Sequence, residues 1–329
     1  MVKRVVMHVG LGKTGTRTIQ TTLAGNRRSL AQLGVVYPGA DLAHHDLLAL
    51  IHHKGAGHFW YTRRGLDARA AHAAAQRQMS ALRAAAATQA PTIILSSEYF
   101  QTLRAPQIAD FDRQIAALGY QLETLCYIRA PLAHTASRIQ QGVKMATARI
   151  AQMMDRPYPP LARNHCEAAL KALGPARVHL RKMEDARDGL TRDLLWAART
   201  PLPSGAFPDR RQNTGFCHDA VYLLDAINAL DADHRPDRPT FRLHQQELRD
   251  LTGQKFTLPP DVARRIQAQS RAEQDWLYRN FCLCYPLQGI TDVPSHWQEI
   301  EWAADTLKEV SRTAHAEPDW PPQQQAQSA

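Results

Sequence analysis

Gly12, Lys13 and Thr14, within the stretch HVGLGKTGTRTIQ from His8 to Gln20, are residue types that wrap a phosphate. Glycines let the backbone curl close to an anion, successive N–H groups at a helix start point at its oxygens, and a lysine adds a full positive charge. Thr14, Thr16 and Thr18 place hydroxyls on both sides of that turn, with Gly15 and Arg17 between them. A plain strand-to-helix turn would use the glycines but would have no need of Lys13 and its hydroxyl neighbours. The triphosphate pattern G-x-x-x-x-G-K-[ST] fits only at its end, because its first glycine falls at position 7, where Met7 stands. The loop therefore suits a phosphate or sulfate and fits a nucleoside triphosphate poorly.

Two more polar clusters end apolar runs. Ser96, Ser97 and Glu98 close TIIL (92–95), and Arg129 closes LETLCYI (122–128). A histidine-rich region carries His44, His45, His52, His53 and His58, and a later basic segment, RRQNTGF (210–216), carries Arg210, Arg211 and Asn213. That segment could close over a bound anion, although a solvated turn fits it equally.

The elements that must position these groups are legible from the spacing of apolar residues. RVVMHV (4–9) is a β-branched apolar run ended by Gly10, a buried strand, and residues 14–33 turn helical until Gly34 stops them. The alanine-rich run 66–89 predicts a long surface helix, 92–100 a strand, 105–118 a helix closed by Gly119, and 122–129 a strand with Pro131 just inside the next helix. Residues 176–185 predict a further strand, and 188–199, 216–230, 259–281 and 297–313 predict helices. Strands alternating with helices imply an α/β fold of the P-loop type, a parallel sheet flanked by helices with a mainly helical C-terminal part. Ligands then bind beyond the carboxyl ends of the strands. No repeat or long linker interrupts the chain, so a single domain over 1–315 is expected, followed by a disordered polar tail at 316–329.

The 329 residues, 44% of them apolar, can bury a sizeable core, and the formal charge of +9 with an isoelectric point near 9.5 points to an anionic partner. A nucleotide, a phosphorylated metabolite, an acidic glycan and a nucleic acid all satisfy the sign. Five cysteines without any C-x-x-C pair suggest neither a disulfide framework nor a zinc site, and so a reducing, cytoplasmic compartment. The apolar run at the start is far shorter than a signal-peptide core, and no stretch approaches the roughly 20 apolar residues of a membrane span.

GLGKTGTRTIQTTL resembles the 5′-phosphosulfate loop of the P-loop sulfotransferases, whose bacterial members read much like G-x-x-K-T-G-T-[ST]-x-x-Q. Members of that family bind the donor's 3′-phosphate through an arginine at a strand end and a serine eight residues on. YIRAPLAHTASRI places Arg129 and Ser137 at that spacing, with Pro131 where many members have proline. Weaker likenesses in ILSSEYF, RRQNTGF and EQDWLYRNF extend the resemblance to about residue 285. Arg17 departs from the usual threonine or serine, and Ile139 stands where an aromatic is common.

The resemblance implies a donor, 3′-phosphoadenosine 5′-phosphosulfate (PAPS), held by Gly12, Lys13, Thr14, Gly15, Thr16, Arg17, Thr18, Arg129, Ser137 and Arg211. It implies transfer of the sulfuryl group to a hydroxyl or amine acceptor, with Lys13 stabilising the leaving oxygen. An anionic or carbohydrate acceptor suits the basic segment 40–65; no nucleic acid, metal or membrane partner is expected. The acceptor must lose a proton, and Glu98 at a strand end is the first candidate base, with His45 the alternative. A P-loop kinase or NTPase, and a basic binding protein without catalysis on the same fold, remain as alternatives.

Overall fold

The computed structural model describes residues 2–158, 162–203, 205–210, 215–234 and 245–286. The expected helix at 297–313, the tail at 316–329, and Arg211 and Asn213 lie outside the described residues. Chain contacts divide the protein into two compact units. One comprises Met1–His134, Pro159–Asn213 and Gln267–Gln288; the other comprises Thr135–Tyr158, Thr214–Ile266 and Gly289–Ala329.

The first unit opens with β1 (Arg4–Val9), α1 (Thr16–Gly25), α2 (Arg27–Gln32) and β2 (Val35–Val36). Two short helices, α3 (Leu48–Ile51) and α4 (Phe59–Thr62), lead into the long α5 (Ala68–Ala87), then β3 (Thr92–Ser97), α6 (Ala105–Ala117) and β4 (Gln121–Ile128). α7 (Pro131–Lys144) carries the chain into the second unit, which also holds α8 (Ile150–Asp155). α9 (Arg163–Leu173), β5 (Val178–Lys182) and α10 (Leu190–Ala197) return to the first, whereas α11 (His218–His234) and α12 (Gln245–Asp250) belong to the second. α13 (Pro260–Phe281) spans both. The C-terminal part is thus helical, as its apolar spacing predicts. Among the described residues no helix is long and apolar enough to cross a membrane.

All five strands run parallel in the order β2-β3-β1-β4-β5. A parallel sheet needs helices on both faces, and its central strands read as continuous apolar runs. Every residue of β1 is buried accordingly. Val5, Met7 and Val9 face a core shared with Leu82 of α5, Phe111 of α6 and Cys166 of α9. Val6 faces the opposite core, built with Ile19 and Leu23 of α1 and Leu194 of α10. β1 is central, and the register sets Val9 beside Ser97 on one side and Cys126 on the other. The loop after β1 therefore emerges between the ends of β3 and β4, the switch point at which such sheets bind ligands.

Local departures from the expected boundaries have local causes. The helix predicted over 14–33 breaks at Asn26, whose side-chain amide donates to the Thr22 carbonyl at 2.7 Å and ends α1. The strand predicted to reach residue 100 stops at Ser97, because its hydroxyl accepts the Tyr99 N–H at 3.1 Å and starts a 3-10 turn over Glu98–Thr102. β5 is shorter than 176–185 because 3-10 turns at Pro175–Arg177 and Met183–Asp185 occupy its ends. α8 and α9 fill a stretch in which the sequence pattern predicts no element. In the second unit, Arg149 makes a two-bonded contact with Asp225 at 3.0 and 3.1 Å, and Asn228 donates to the Val143 carbonyl at 2.7 Å.

One buried charge fixes three strands at once. Glu123 of β4, only 3% exposed, takes a hydrogen bond from His179 of β5 at 3.1 Å and lies 4.0 Å from both Arg4 of β1 and Arg199. Burial alone would raise its carboxyl, but the bond to His179 and the charges of Arg4, His179 and Arg199 outweigh that and hold it below the usual range. A carboxyl depressed in the folded state stabilises above its unfolded pKa, and the contribution is lost as pH falls through the folded value. Glu123→Gln should therefore cost on the order of 2 kcal/mol at pH 7. The gap from wild type should close as denaturant melts are repeated below about pH 4. A gap unchanged with pH would mean that packing, and not charge, is what Glu123 supplies.

Candidate functional site

The loop between β1 and α1 is built for close backbone approach. A Cβ on Gly10 would run into the Thr16 side chain, and Gly15, at φ 80°, has Leu190 Cδ1 against the place where a Cβ would sit. Lys13 is also left-handed, at φ 68°, although it is not a glycine. Such a conformation costs an L-residue roughly 1–2 kcal/mol and persists only where its surroundings hold it. Thr14 Oγ1 donates to the Leu11 carbonyl at 2.6 Å, closing the turn, and the Ile19 N–H donates to the Gly15 carbonyl at 3.1 Å, opening α1. Gly15, the N-cap, has no side chain to take the first N–H groups of α1, and no acidic residue stands in the first turn. The positive end of the helix dipole is left to whatever enters the loop. Thr16 Oγ1 is buried there without a hydrogen-bond partner.

The end of β4 reaches this loop from one side. Arg129 donates from Nη1 to the Lys13 carbonyl at 3.1 Å, and His134, in the first turns of α7, lies with Nε2 3.0 Å from the Gly12 carbonyl, which it must therefore donate to. Burial lowers the Arg129 guanidinium, while Glu184 and Tyr285 nearby oppose that shift. Glu184 itself accepts from the Ala130 N–H at 3.0 Å and from the Tyr285 hydroxyl at 3.1 Å.

The end of β3 reaches it from the other side. Glu98 is half-buried, which raises its carboxyl, against the charges of Lys13 and Arg17. Next to it, the His45 ring sits with Nδ1 2.6 Å from Ser97 Oγ, between Trp60 and Tyr99 at 4.6 and 4.8 Å between ring centres. Burial, and then the charges of His44, Arg64, Arg17 and His58, bring His45 down to about 4, so it is neutral at pH 7. Phe59, 49% exposed, packs edge-on against Tyr99, and Arg64 lies over Trp60 while bonded to Asp46 at 3.2 Å. Glu98 thus borders an aromatic surface with cations on it.

Beneath the loop, Ser96 is a buried hub. Its Oγ accepts from Gln20 Nε2 of α1 at 3.2 Å and lies 2.8 Å from His8 Nδ1 of β1, while nearby Tyr37 donates its hydroxyl to the Leu42 carbonyl at 2.7 Å. Burial lowers His8 to about 3, so the network is uncharged at pH 7.

The structure thus brings together Gly12, Lys13, Thr14 and Gly15 of the loop with Thr16, Arg17 and Thr18 at the start of α1; Arg129 is bonded to the loop, Glu98 lies within its electrostatic reach, and His45 lies against Ser97, the residue before Glu98. Ser137 lies half-exposed on α7 in the second unit. Arg210 is exposed; its N–H donates to Thr22 Oγ1 at 3.1 Å, and its guanidinium lies where a Cβ on Gly25 would be. His134 carries no motif signal of its own, although it stands three residues before Ser137, on the same helix face, whereas Gln20 closes the loop pattern and Ser96 stands at the polar end of its strand. Among the described residues no group of three His, Cys, Asp or Glu side chains could hold a metal ion.

No family model matches the chain, and no curated protein matches it. Among solved structures it is similar to a sulfotransferase from Alicyclobacillus acidocaldarius, at 18% identity and a TM-score of 0.39, over 76% of this chain and 98% of that one.

The strain at Lys13 has a direct test. Lys13→Gly and Lys13→Ala both remove the amine, but only glycine relieves the left-handed backbone. Lys13→Gly should be about 1 kcal/mol more stable than Lys13→Ala in urea unfolding, even after glycine's extra chain entropy is counted. Equal stabilities would mean that the loop relaxes to a right-handed conformation in solution.

Proposed function

We propose that the chain is a sulfotransferase that moves a sulfuryl group from PAPS to a hydroxyl or amine acceptor. The observation that carries this proposal is the loop at the end of β1: Lys13 held left-handed between Arg129 on one flank and Glu98 on the other. The uncapped start of α1 and the unpartnered Thr16 hydroxyl fit an anion's oxygens, and the sequence pattern K-T-G-T fits a phosphosulfate loop better than a triphosphate loop.

The donor supplies an activated sulfuryl group with a phosphate as its leaving group. Lys13 neutralises the charge that grows on the phosphate oxygen, and the N–H groups of the loop with the Thr14, Thr16 and Thr18 hydroxyls orient it. Arg129 is a planar fork suited to a 3′-phosphate, with Ser137 and Arg211 as further donor ligands. Glu98 accepts the acceptor's proton: burial raises its basicity, and the charges of Lys13 and Arg17 keep it ionised enough to act. His45, lowered to about 4, is the weaker base, so its place beside Ser97 and Tyr99 suits binding of the acceptor. The rings of Phe59, Trp60 and Tyr99, with Arg63 and Arg64 near them, favour an acceptor that has an apolar ring face and a negative charge, such as an acidic sugar.

Thermal melting with nucleotides tests the donor class before any acceptor is known. A ligand at about 100 times its dissociation constant stabilises by roughly 2.7 kcal/mol. Adenosine 3′,5′-bisphosphate should raise the melting temperature strongly without Mg²⁺, adenosine 5′-monophosphate much less, and Arg129→Ala should remove most of the difference. A larger, Mg²⁺-dependent shift with ATP would move the protein to the kinase class. Once an acceptor is in hand, Glu98→Gln should lower kcat roughly a hundredfold with donor affinity little changed. A fully active Glu98→Gln enzyme would transfer the base role to His45.

A further inference from the structure

We infer that His134 is a positioning residue of the donor loop, holding the peptide on the near side of Lys13 as Arg129 holds the peptide on the far side. This rests on the sulfotransferase activity proposed above. In a trans peptide the C=O and N–H point in opposite directions. With the Gly12 carbonyl turned to His134 Nε2 and the Lys13 carbonyl turned to Arg129 Nη1, the Lys13 N–H is turned away from His134 and the Thr14 N–H away from Arg129. Successive N–H groups directed to one side of a left-handed residue form an anion-binding concavity. Each bond alone would leave one peptide plane free to rotate, and the two together fix Lys13 at φ 68°.

The backbone that carries the imidazole is itself fixed, and the side chain is buried. It is only 4% exposed, and the His134 N–H donates to the Ala130 carbonyl at 2.8 Å, which sets the first turn of α7. Ala130 is in turn pinned through its own N–H to Glu184 Oε1 at 3.0 Å, and Glu184 Oε2 is bonded to Tyr285. A line of hydrogen bonds thus runs from Tyr285 through Glu184, Ala130 and His134 to the Gly12 carbonyl. His134 acts through Gly12 and Lys13, without contact with the transferred group.

The test compares wild type, His134→Leu and His134→Gln by titration calorimetry with adenosine 3′,5′-bisphosphate and, separately, adenosine 5′-monophosphate. Glutamine can present an N–H at about the reach of imidazole Nε2, and leucine cannot. His134→Leu should weaken both nucleotides about tenfold, by the same factor because the loss lies at the 5′ end. His134→Gln should recover affinity to within about threefold of wild type, with unliganded melting temperatures close to one another. Leucine binding as tightly as wild type, or glutamine as weakly as leucine, overturns the positioning role. Should the leucine variant not fold, His134→Asn, whose amide is too short to reach Gly12, replaces it, and equal affinities for Asn and Gln overturn the inference. A wild-type protein that binds neither nucleotide removes the proposed activity and this role with it, whereas wild-type binding without the Leu–Gln difference removes this role alone.

Discussion

A left-handed backbone at Lys13 is the constraint around which the rest of the site is arranged. An L-residue does not stay there unaided, since the strain is comparable to a whole net hydrogen bond. Here the neighbouring carbonyls are tied to His134 and Arg129, Thr14 is tied back to Leu11, and Gly10 and Gly15 remove the Cβ atoms that Thr16 and Leu190 would strike. In the proposed role, the amine and the peptide N–H of that lysine would serve the same anion. A glycine would sit there without strain but would bring no charge, which is a physical reason for a lysine to be kept where glycine is easier.

The strand order turns that local constraint into a site. Because β1 is central, its loop is flanked by β3 and β4, and the registers that set Val9 beside Ser97 and Cys126 deliver Glu98 and Arg129 to opposite sides. Three of the nearby histidines add no charge at neutral pH: burial brings His8 to about 3 and His44 and His45 to about 4. His44 shows the tautomer directly, its Nδ1 accepting the Ser96 N–H at 3.0 Å and its Nε2 donating to the Pro38 carbonyl at 3.1 Å. The charged side chains beside the loop are Arg129, bonded to the Lys13 carbonyl, and Glu98, which feels the charges of Lys13 and Arg17.

Much of this was legible before any coordinates, and for stated reasons. β1, β3 and β4 are short β-branched runs, long enough that period and burial agree, and their polar ends announce the site. β2 is two residues long and carries no period at all, so only the sheet reveals it. α9 was hidden for another reason: its buried residues include His165 beside Cys166 and Ala169, a face with little apolar contrast. Lys13, Glu98 and Arg129 stood out because charge at a strand end is unusual. His134 did not, because its importance lies in which carbonyl it meets across about 120 residues of chain, and spacing along a sequence cannot express that; Ser96 stood out as a polar strand end, but its bonds to His8 and Gln20 did not.

The two supports under the loop also differ in kind. His134 and Arg129 hold backbone carbonyls, so they set the direction of N–H groups within the loop. The Ser96 hub holds side chains, Gln20 of α1 and His8 of β1, so it sets where the whole helix start lies relative to β3. That hub is uncharged and buried, and a net hydrogen bond there is worth about 1 kcal/mol, with a larger cost if one partner is left unsatisfied. Such a buried network specifies position more than it adds stability, the more so as His8 Nε2 is buried without a hydrogen-bond partner. Glu98 is two residues beyond Ser96 on the same strand end, so the bond that places α1 also places the proposed base relative to the loop. The placing of Glu98 relative to Lys13 therefore depends on the bond between Gln20 and Ser96.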